Sequence, residues 1–566
     1  MEILFFLAQL SGHIRAGVLT VMALTVLIGV GAIVPVLRRF SGVIGRAASG
    51  SKLEKTLIAL TVLVMGVEGF AAMAPLTGSD ALHYHFTAPL LVLESGFHPN
   101  FFLSHSFFSG QSHLLIFAGL ALGSSQFAMG LLFLGGVLAA GAGACLARRW
   151  TNRAWAWTVA LAFLVTPVVF WQISTAGAPD LWMALFSTVG VLVISRARDL
   201  QSSSLAVVAG ALAGGVAGTK YTGCLVAASM AVAYCWEARS VLRSFLFAGG
   251  FLGAGIWPYA RNFVWTNDPM FPFLLRWLAP GKVNAYALAS YLADTGAGNH
   301  RTVWEVIRFP FFARIDLAHL GLWQFLGPLV LAFAPLLILT VRDSPTWRTA
   351  LTVWVLSALG IGATSGMTRF LLPVLPVALA ATLAGVAQLT AVGWKAARTI
   401  AIATLCCFLL FGTVGLFAYD EPALLVAAGL VSPEQYLRQH APEYEKTQII
   451  NRVLEGKGKD GKALVFLRHL YYIRAPFLYG DPAASWAIEP SRLQTPEEWQ
   501  KLFDEEHVGW VVRSPAYPPE IAAPLNQLEA EGKLVPIERA EVTDFAGFRI
   551  AAERQSVPIV ILRVRK

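Results

Sequence analysis

Asp80 lies in the run PLTGSDALHYHFTAPL, within a stretch from Thr56 to Ala147 that holds no Lys or Arg. A carboxylate there suits general-base work, because it can take the proton of an attacking hydroxyl. Thr77 and Asp80 also have capping-box spacing, so the same residue could simply start a helix over about 81–94. Lys220 in GTKYTG, Arg261 in WPYARNFVWTNDPMFP and Arg369 in GMTRFLLPVLP are cations set among apolar residues. A lone arginine near a helix end snorkels to headgroups. Three cations at one depth are better explained by a shared anion, and a lipid phosphate or diphosphate fits the donors of Arg and Lys. Placed against a leaving phosphate, they would stabilise the charge that grows on it.

Other polar residues cluster around these. His83, Tyr84 and His85 follow Asp80, and with His98, His105 and His113 they put five of the eleven histidines within about 30 residues. His83 and His85 diverge on a helix at i,i+2 spacing, and no HExxH pattern occurs. Hydrogen bonding to a sugar or phosphate, or interfacial packing, is therefore expected rather than a metal site. No cofactor is expected. Asp180, in STAGAPDLWMALF, follows Pro179 and suits a helix N-terminus, where the dipole favours negative charge. Its other role would be a second acid shaping the pocket. Tyr221 and Asn262 adjoin Lys220 and Arg261 and are taken as pocket residues with them.

These residues need elements to place them. The 566-residue chain is 56% hydrophobic and only 14% charged, against about 25% charged in soluble proteins. Its mean hydropathy is +0.61. A bilayer-embedded chain follows. The net charge of +9 is spread over loops rather than gathered in a run, so nucleic acid is not an expected partner, while membrane lipids are. The N-terminus MEILFFLAQL lacks a basic region and a cleavage site, so the first apolar segment is expected to stay as an anchor. Cys145, Cys224, Cys235, Cys406 and Cys407 lie in apolar stretches without CxxC spacing. They read as small buried apolar residues, with no disulfide framework.

A spanning helix needs about 20 mostly apolar residues. Candidate spans are about 17–37, 56–76, 126–147, 154–172, 178–195, 204–219, 221–236, 244–262, 322–341, 349–363, 370–391 and 399–418, about twelve in all. Basic clusters at Arg38, Arg39, Arg46, Lys52 and Lys55, then Arg148, Arg149 and Arg153, and on through Arg239, Arg243, Arg342, Arg348, Lys395 and Arg398, all fall on one side. The positive-inside rule makes that side cytoplasmic. The loops at 77–125 and 263–321 and the tail are then external. Lys220, Arg261 and Arg369 fall at outer helix ends, against the charge bias. The 263–321 loop mixes Asp294, Arg301, Trp304 and Glu305, which suits both carbohydrate stacking and an interfacial helix.

The tail changes character. Short apolar runs such as ALVFL, GWVVRS and VPIVILRV alternate with helical stretches opened by Ser432-Pro433-Glu434 and Thr495-Pro496-Glu497-Glu498. A small α/β domain is expected, without a phosphate loop or triad and without a catalytic role. Three parts result. Residues 1–55 hold an extra transmembrane helix and a basic cytoplasmic loop, 56–420 the transmembrane catalytic part, and 421–566 the external domain.

An outward Asp after an early span, an APD turn, a Lys-Tyr-Thr-Gly turn, a PYxRNFxWTxxPxFPF segment and a late RFLLPxLP segment occur here in order. In this the chain resembles the GT-C superfamily of membrane glycosyltransferases, over roughly residues 56–420. It is most similar to the bacterial branch related to family 39, which includes protein O-mannosyltransferases and the lipid A aminoarabinose transferase. The resemblance implies an α-helical polytopic membrane protein with a large first external loop, here joined to a C-terminal external α/β domain. It implies a polyprenyl-phosphate sugar donor, a lipid, glycan or protein acceptor, and an inverting displacement at the outer face of the cell's inner membrane. By carry-over Asp80 would be the base, Lys220, Arg261 and Arg369 would hold donor phosphate, and Asp180 would line the pocket. The mannosyltransferases commonly have two adjacent acids in the first loop; here Ala81 follows Asp80. A secondary transporter or a non-enzymatic envelope assembly protein are the other readings. No internal repeat favours the first, and outward cations facing an outward Asp are unexplained by the second.

Overall fold

The structure is a computed structural model that describes residues 15–20, 22–24, 27, 50–108, 110–297, 300–311, 325–340, 344–392, 394–514, 519–546 and 553–565. Most of the expected first span, with Arg38, Arg39, Arg46 and Arg342, lies outside these residues. Helices dominate up to Ala427, and a small sheet follows.

Three helices among the described residues are long and apolar enough to cross a membrane: Ser125–Ala147, Thr368–Ala391 and Lys395–Ala427. The number rises to five if two bent pairs each form one span, Arg153–Leu164 with Pro167–Ala176 and Val241–Gly255 with Trp257–Thr266. The chain is a membrane protein, but among the described residues the expected count of about twelve spans is not reached by length and composition. The reason is length. Asp180–Ile194, Ser203–Thr219 and Gly223–Ala238 are apolar but have 15, 17 and 16 residues, so each rises about 22–26 Å against a hydrocarbon core of about 30 Å. Polar and charged residues end these helices before they reach full length: Ser195 after the first, Ser202 and Lys220 at the two ends of the second, and Thr222 and Arg239 at those of the third.

These short helices pack backbone to backbone. A Cβ on Gly210 would lie 1.9 Å from the carbonyl of Phe247, and one on Gly250 2.2 Å from that of Val207. Only glycine admits this approach between Ser203–Thr219 and Val241–Gly255, as is usual where small residues line helix contacts in membranes. Large side chains turn outward on the long helices: Ile400, Leu410, Phe411 and Val414 are exposed on Lys395–Ala427. Cys145, Cys235, Cys406 and Cys407 are exposed too, and Cys224 is half-buried. The expectation of buried cysteines fails because they sit on the outward faces of apolar helices.

The 77–125 loop folds into short pieces. A π-helical turn Ala81–His85 leads to the helix Thr87–Ser95, a 3-10 turn Ser104–Phe108 and the helix His113–Ala121. The tail forms a five-stranded sheet from β1 (Lys462–Val465), β2 (Phe477–Tyr479), β3 (Val508–Arg513), β4 (Leu534–Ala546) and β5 (Glu553–Val564). The strand order is β2-β1-β3-β5-β4, with β1 parallel to β2 and β3 and β5 antiparallel to β3 and β4. Thr495 and Glu498 form the expected capping box of the helix Pro496–Glu505, and Ser432 caps Pro433–His440. The tail's core holds Leu464, Val465, Trp499, Val511, Ile561 and Leu562, and it also takes in Ala88, Phe102 and Leu103 from the first loop. The expected limit at residue 420 falls inside the continuous helix Lys395–Ala427, and that at 55 inside Lys52–Ala71.

Candidate functional site

The pieces of the first loop, the turns at Lys220 and Arg369 and the tail meet around a cavity of about 400 Å³. Asp80, Tyr84, His85, Lys220, Tyr221 and Arg369 line it, joined by Ser79, His105, His113, Tyr291, Asp294, Tyr419, His440 and Arg468. Asp80 immediately precedes the π-helical turn and makes no side-chain capping bond. Its carboxylate instead accepts a hydrogen bond from Arg369 Nη1 at 3.0 Å. Lys220 ends the helix Ser203–Thr219 in extended backbone and donates from Nζ to Asp180 Oδ2 at 2.9 Å. Asp180 opens its helix, as Pro179 suggested, and is buried behind Lys220 rather than lining the cavity. Thus each cation has its own carboxylate. Burial disfavours the charged form of Asp80, but Arg369, Lys220 and Arg468 outweigh it and hold the carboxyl below its usual value.

The histidines form a second layer. The Gly110 amide donates to His113 Nδ1 at 3.2 Å, and His113 Nε2 lies 2.8 Å from His85 Nδ1. An amide donor makes His113 Nδ1 an acceptor, so the neutral ring carries its proton on Nε2 and gives it to His85 Nδ1. His85 is then left with its N–H on Nε2, which has no partner among the described residues. Burial drives both rings toward the neutral form: His113 is pushed down to about 3, helped by Lys220 and Arg261, and His85 well below its usual value, helped by His113 and Lys220. His105 is likewise pushed down to about 3 by burial, then by Arg468. It stacks on Tyr84 with ring centres 4.7 Å apart. His83 is buried behind them against His105 and Tyr479, and does not line the cavity. Among the described residues no group of three or more His, Cys, Asp or Glu is arranged to hold a metal ion.

Arg261 departs from the expectation. It lines a separate cavity of about 50 Å³ with Trp257, Pro258 and Trp265. Its guanidinium lies 5.2 and 5.3 Å from the two indole centres and donates to the Phe107 carbonyl at 2.6 Å. The cause is the 60° bend between Val241–Gly255 and Trp257–Thr266, which lays this face of the second helix on the turn Ser104–Phe108. Asn262 stays closer, holding the hydroxyl of Tyr221 at 2.7 Å from behind. Three expected partners thus meet (Asp80, Lys220 and Arg369) and the fourth does not.

The tail supplies what sequence reasoning gave it no part in. Arg468 reaches across the cavity to Asp294 at 3.2 Å. Its neighbour His469 lies 2.8 Å by Nε2 from Ser79 Oγ and 2.9 Å by Nδ1 from Glu443 Oε2. Glu443 also accepts the amides of Arg468 and His469. Burial opposes its charge, but the His469 bond, Lys446 and those amides prevail and hold it at about 2.

With this geometry established, the fold can be compared. ArnT from Cupriavidus metallidurans, in its apo state, superposes with a TM-score of 0.50 over 90% of this chain and 98% of its own, at 18% identity. The chain has the GT-C fold. An oligosaccharyltransferase of Archaeoglobus fulgidus in complex with Zn and sulfate matches 80% of this chain and 68% of its own, at 13% identity and a TM-score of 0.48. The arabinofuranosyltransferase AftD from Mycobacteria matches 90% of this chain and 41% of its own, at 14% identity and a TM-score of 0.40. The family described as the DUF1420 N-terminal domain matches residues 48–208, the part of the GT-C fold that contributes Asp80, the histidines and Asp180. A comparison with the curated proteins gives no match.

Proposed function

We propose that the protein is a membrane glycosyltransferase that moves a sugar from a polyprenyl-phosphate donor to a lipid, glycan or protein acceptor at the outer face of the inner membrane, with inversion. The observation that carries this reading is that Arg369, paired with Asp80, and Lys220, paired from behind with Asp180, present their charges to one cavity. Donor phosphate competes with the two carboxylates for Arg369 and Lys220. Their attraction to it strengthens as the bond from phosphate oxygen to the anomeric carbon breaks. Asp80, released from Arg369 and ionised at neutral pH, takes the proton of the acceptor hydroxyl as its oxygen bonds to the opposite face of that carbon. His85 donates its Nε2 proton to a donor oxygen, and Tyr84, Tyr221 and His105 supply ring faces and hydroxyls for the sugar. Asp180 and Asn262 act from behind by holding Lys220 and Tyr221, and His83 by packing under His105. Arg261 is left out of the phosphate contacts. The tail is taken as the domain that roofs the site on the external side.

Wild type and Asp80→Asn, purified in lipid, are compared with radiolabelled mannosyl, glucosyl and arabinosyl polyprenyl phosphates and a membrane extract as acceptor. Transfer by wild type and a loss of about 10²–10⁴-fold in the variant is expected. Equal transfer by both would remove Asp80 as the base. Absence of turnover and of donor binding by wild type across the panel would refute the transferase.

A further inference from the structure

Ser79, His469 and Glu443 stand in a line that the transfer chemistry has not used. His469 bridges the hydroxyl of Ser79 and the carboxylate of Glu443, at 2.8 and 2.9 Å. Because the carboxylate only accepts, His469 Nδ1 carries a proton, and in the neutral ring Nε2 accepts one from Ser79 Oγ. This is the order of hydroxyl, imidazole and orienting acid in which an imidazole receives a proton through a hydroxyl. Glu443 is fixed for that task. It has a positive φ of 59°, accepts two amides of the 468–469 turn, and faces Lys446 at 3.6 Å. Lys446 also meets Asp544 at 2.7 Å. The charged and titratable groups around His469 are therefore Glu443, Arg468 and His83, with Lys446 and Asp544 behind Glu443. Ser79 is exposed in the cavity wall and precedes Asp80 directly.

We infer that Ser79, His469 and Glu443 form a proton exit that returns Asp80 to its ionised state after each sugar transfer. The inference rests on the transferase reading above. After transfer, Asp80 holds the acceptor's proton and faces three cations that favour its carboxylate, so it is a ready donor. Ser79 and Asp80 both face the cavity, and the proton crosses from the Asp80 carboxyl through a cavity water to Ser79 Oγ as Ser79's own proton passes to His469 Nε2. The product is an imidazolium beside the Glu443 carboxylate, and it releases the proton to water on the tail side. One proton leaves the acceptor and one reaches solvent. Only O–H and N–H bonds are exchanged, and nothing is oxidised or reduced. Such a route is useful because donor and acceptor together fill the cavity and keep bulk water from Asp80.

The test separates the first turnover from later ones, using the full chain in lipid with radiolabelled mannosyl, glucosyl and arabinosyl polyprenyl phosphates. In His469→Gln and Ser79→Ala the first turnover should keep its wild-type rate, while steady-state transfer falls on the order of 10- to 100-fold. Ser79→Thr, which keeps the hydroxyl, should restore it. Tyr472→Phe removes a tail-to-loop bond to the Leu76 carbonyl outside the relay and should change neither phase. Should His469→Gln fail to fold, Ser79→Ala carries the test alone, since it leaves the His469–Glu443 pair intact. Equal loss of both phases, or loss of neither, overturns the relay while leaving the transferase standing. A wild type without transfer overturns the transferase, and the relay with it.

Discussion

At the scale of the residue, charge pairing decides which side chains act and which only hold. Lys220 neutralises Asp180, whose side chain is 3% exposed. Lys220→Met therefore strands a buried carboxylate and should cost about 3–5 kcal/mol, visible as a lower melting temperature in detergent. Lys220→Met with Asp180→Leu should recover much of that stability but no transfer. The buried histidines set a pH dependence. Unfolded, each takes a proton near pH 6.5, whereas folded His105 and His113 do so only at about 3. Between those values the unfolded chain binds more protons, so stability rises with pH. It is complete above about pH 6.5 and is lost by about 1.4 kcal/mol per pH unit per histidine as pH falls toward 3. Asp80 and Glu443, held low, add their losses only below about pH 4. Melting curves between pH 7 and 5 should rise with the histidines, against a contribution of opposite sign from Asp481, whose carboxyl burial raises, and His105→Phe should reduce their slope. Asp80, Lys220 and Arg369 were legible in the sequence because ions among apolar residues are costly and so conspicuous. Ser79 and His469 were not, because 390 residues separate a serine and a histidine of ordinary appearance.

At the scale of the element, the site depends on turns that tolerate no side chain. A Cβ on Gly110 would sit 1.9 Å from the Gly218 carbonyl, and the Gly110 amide fixes the proton positions of His113 and His85. Gly110→Ala should lower stability by at least about 1–3 kcal/mol and weaken donor binding, measured by calorimetry with the same donor panel, although residue 110 itself does not line the main cavity. Periodicity found the apolar helices but not where they break. The 55° and 60° bends interrupt runs that read as continuous spans, and the second of them moved Arg261 away from its expected partners. In the tail, β1, β3 and β5 were legible as apolar runs. β2 has three residues, and β4, LVPIERAEVTDFA, mixes charges into a strand paired on one side only. Neither leaves a signal that local pattern reading can detect.

At the scale of the whole molecule, loop and tail form one packed unit. Leu103 of the first loop is fully buried in the tail's core, and Tyr479 of β2 donates to the His83 carbonyl at 2.5 Å. Leu103 does not line the cavity, yet Leu103→Asp should melt the tail and abolish transfer together, at a cost of several kcal/mol. Limited proteolysis would show cleavage in both 77–125 and the tail. Cleavage confined to the loop would mean that the two fold apart. This joint core is why a tail without any recognisable catalytic motif still supplies Arg468, His440 and the His469 line to the cavity.

The helix Lys395–Ala427 has 33 residues and is thus about 50 Å long, far more than the hydrocarbon core it crosses. It runs from Lys395 and Arg398 to the base of the tail, carrying Tyr419 into the cavity wall on the way. It behaves as a mast stepped through a deck. Where the deck is thin the mast stands tall, and where it is thick the mast must lean or sink. On the transferase reading the tail that continues from this helix roofs the site, so the transfer rate measured in bilayers of different acyl-chain length is expected to change with bilayer thickness.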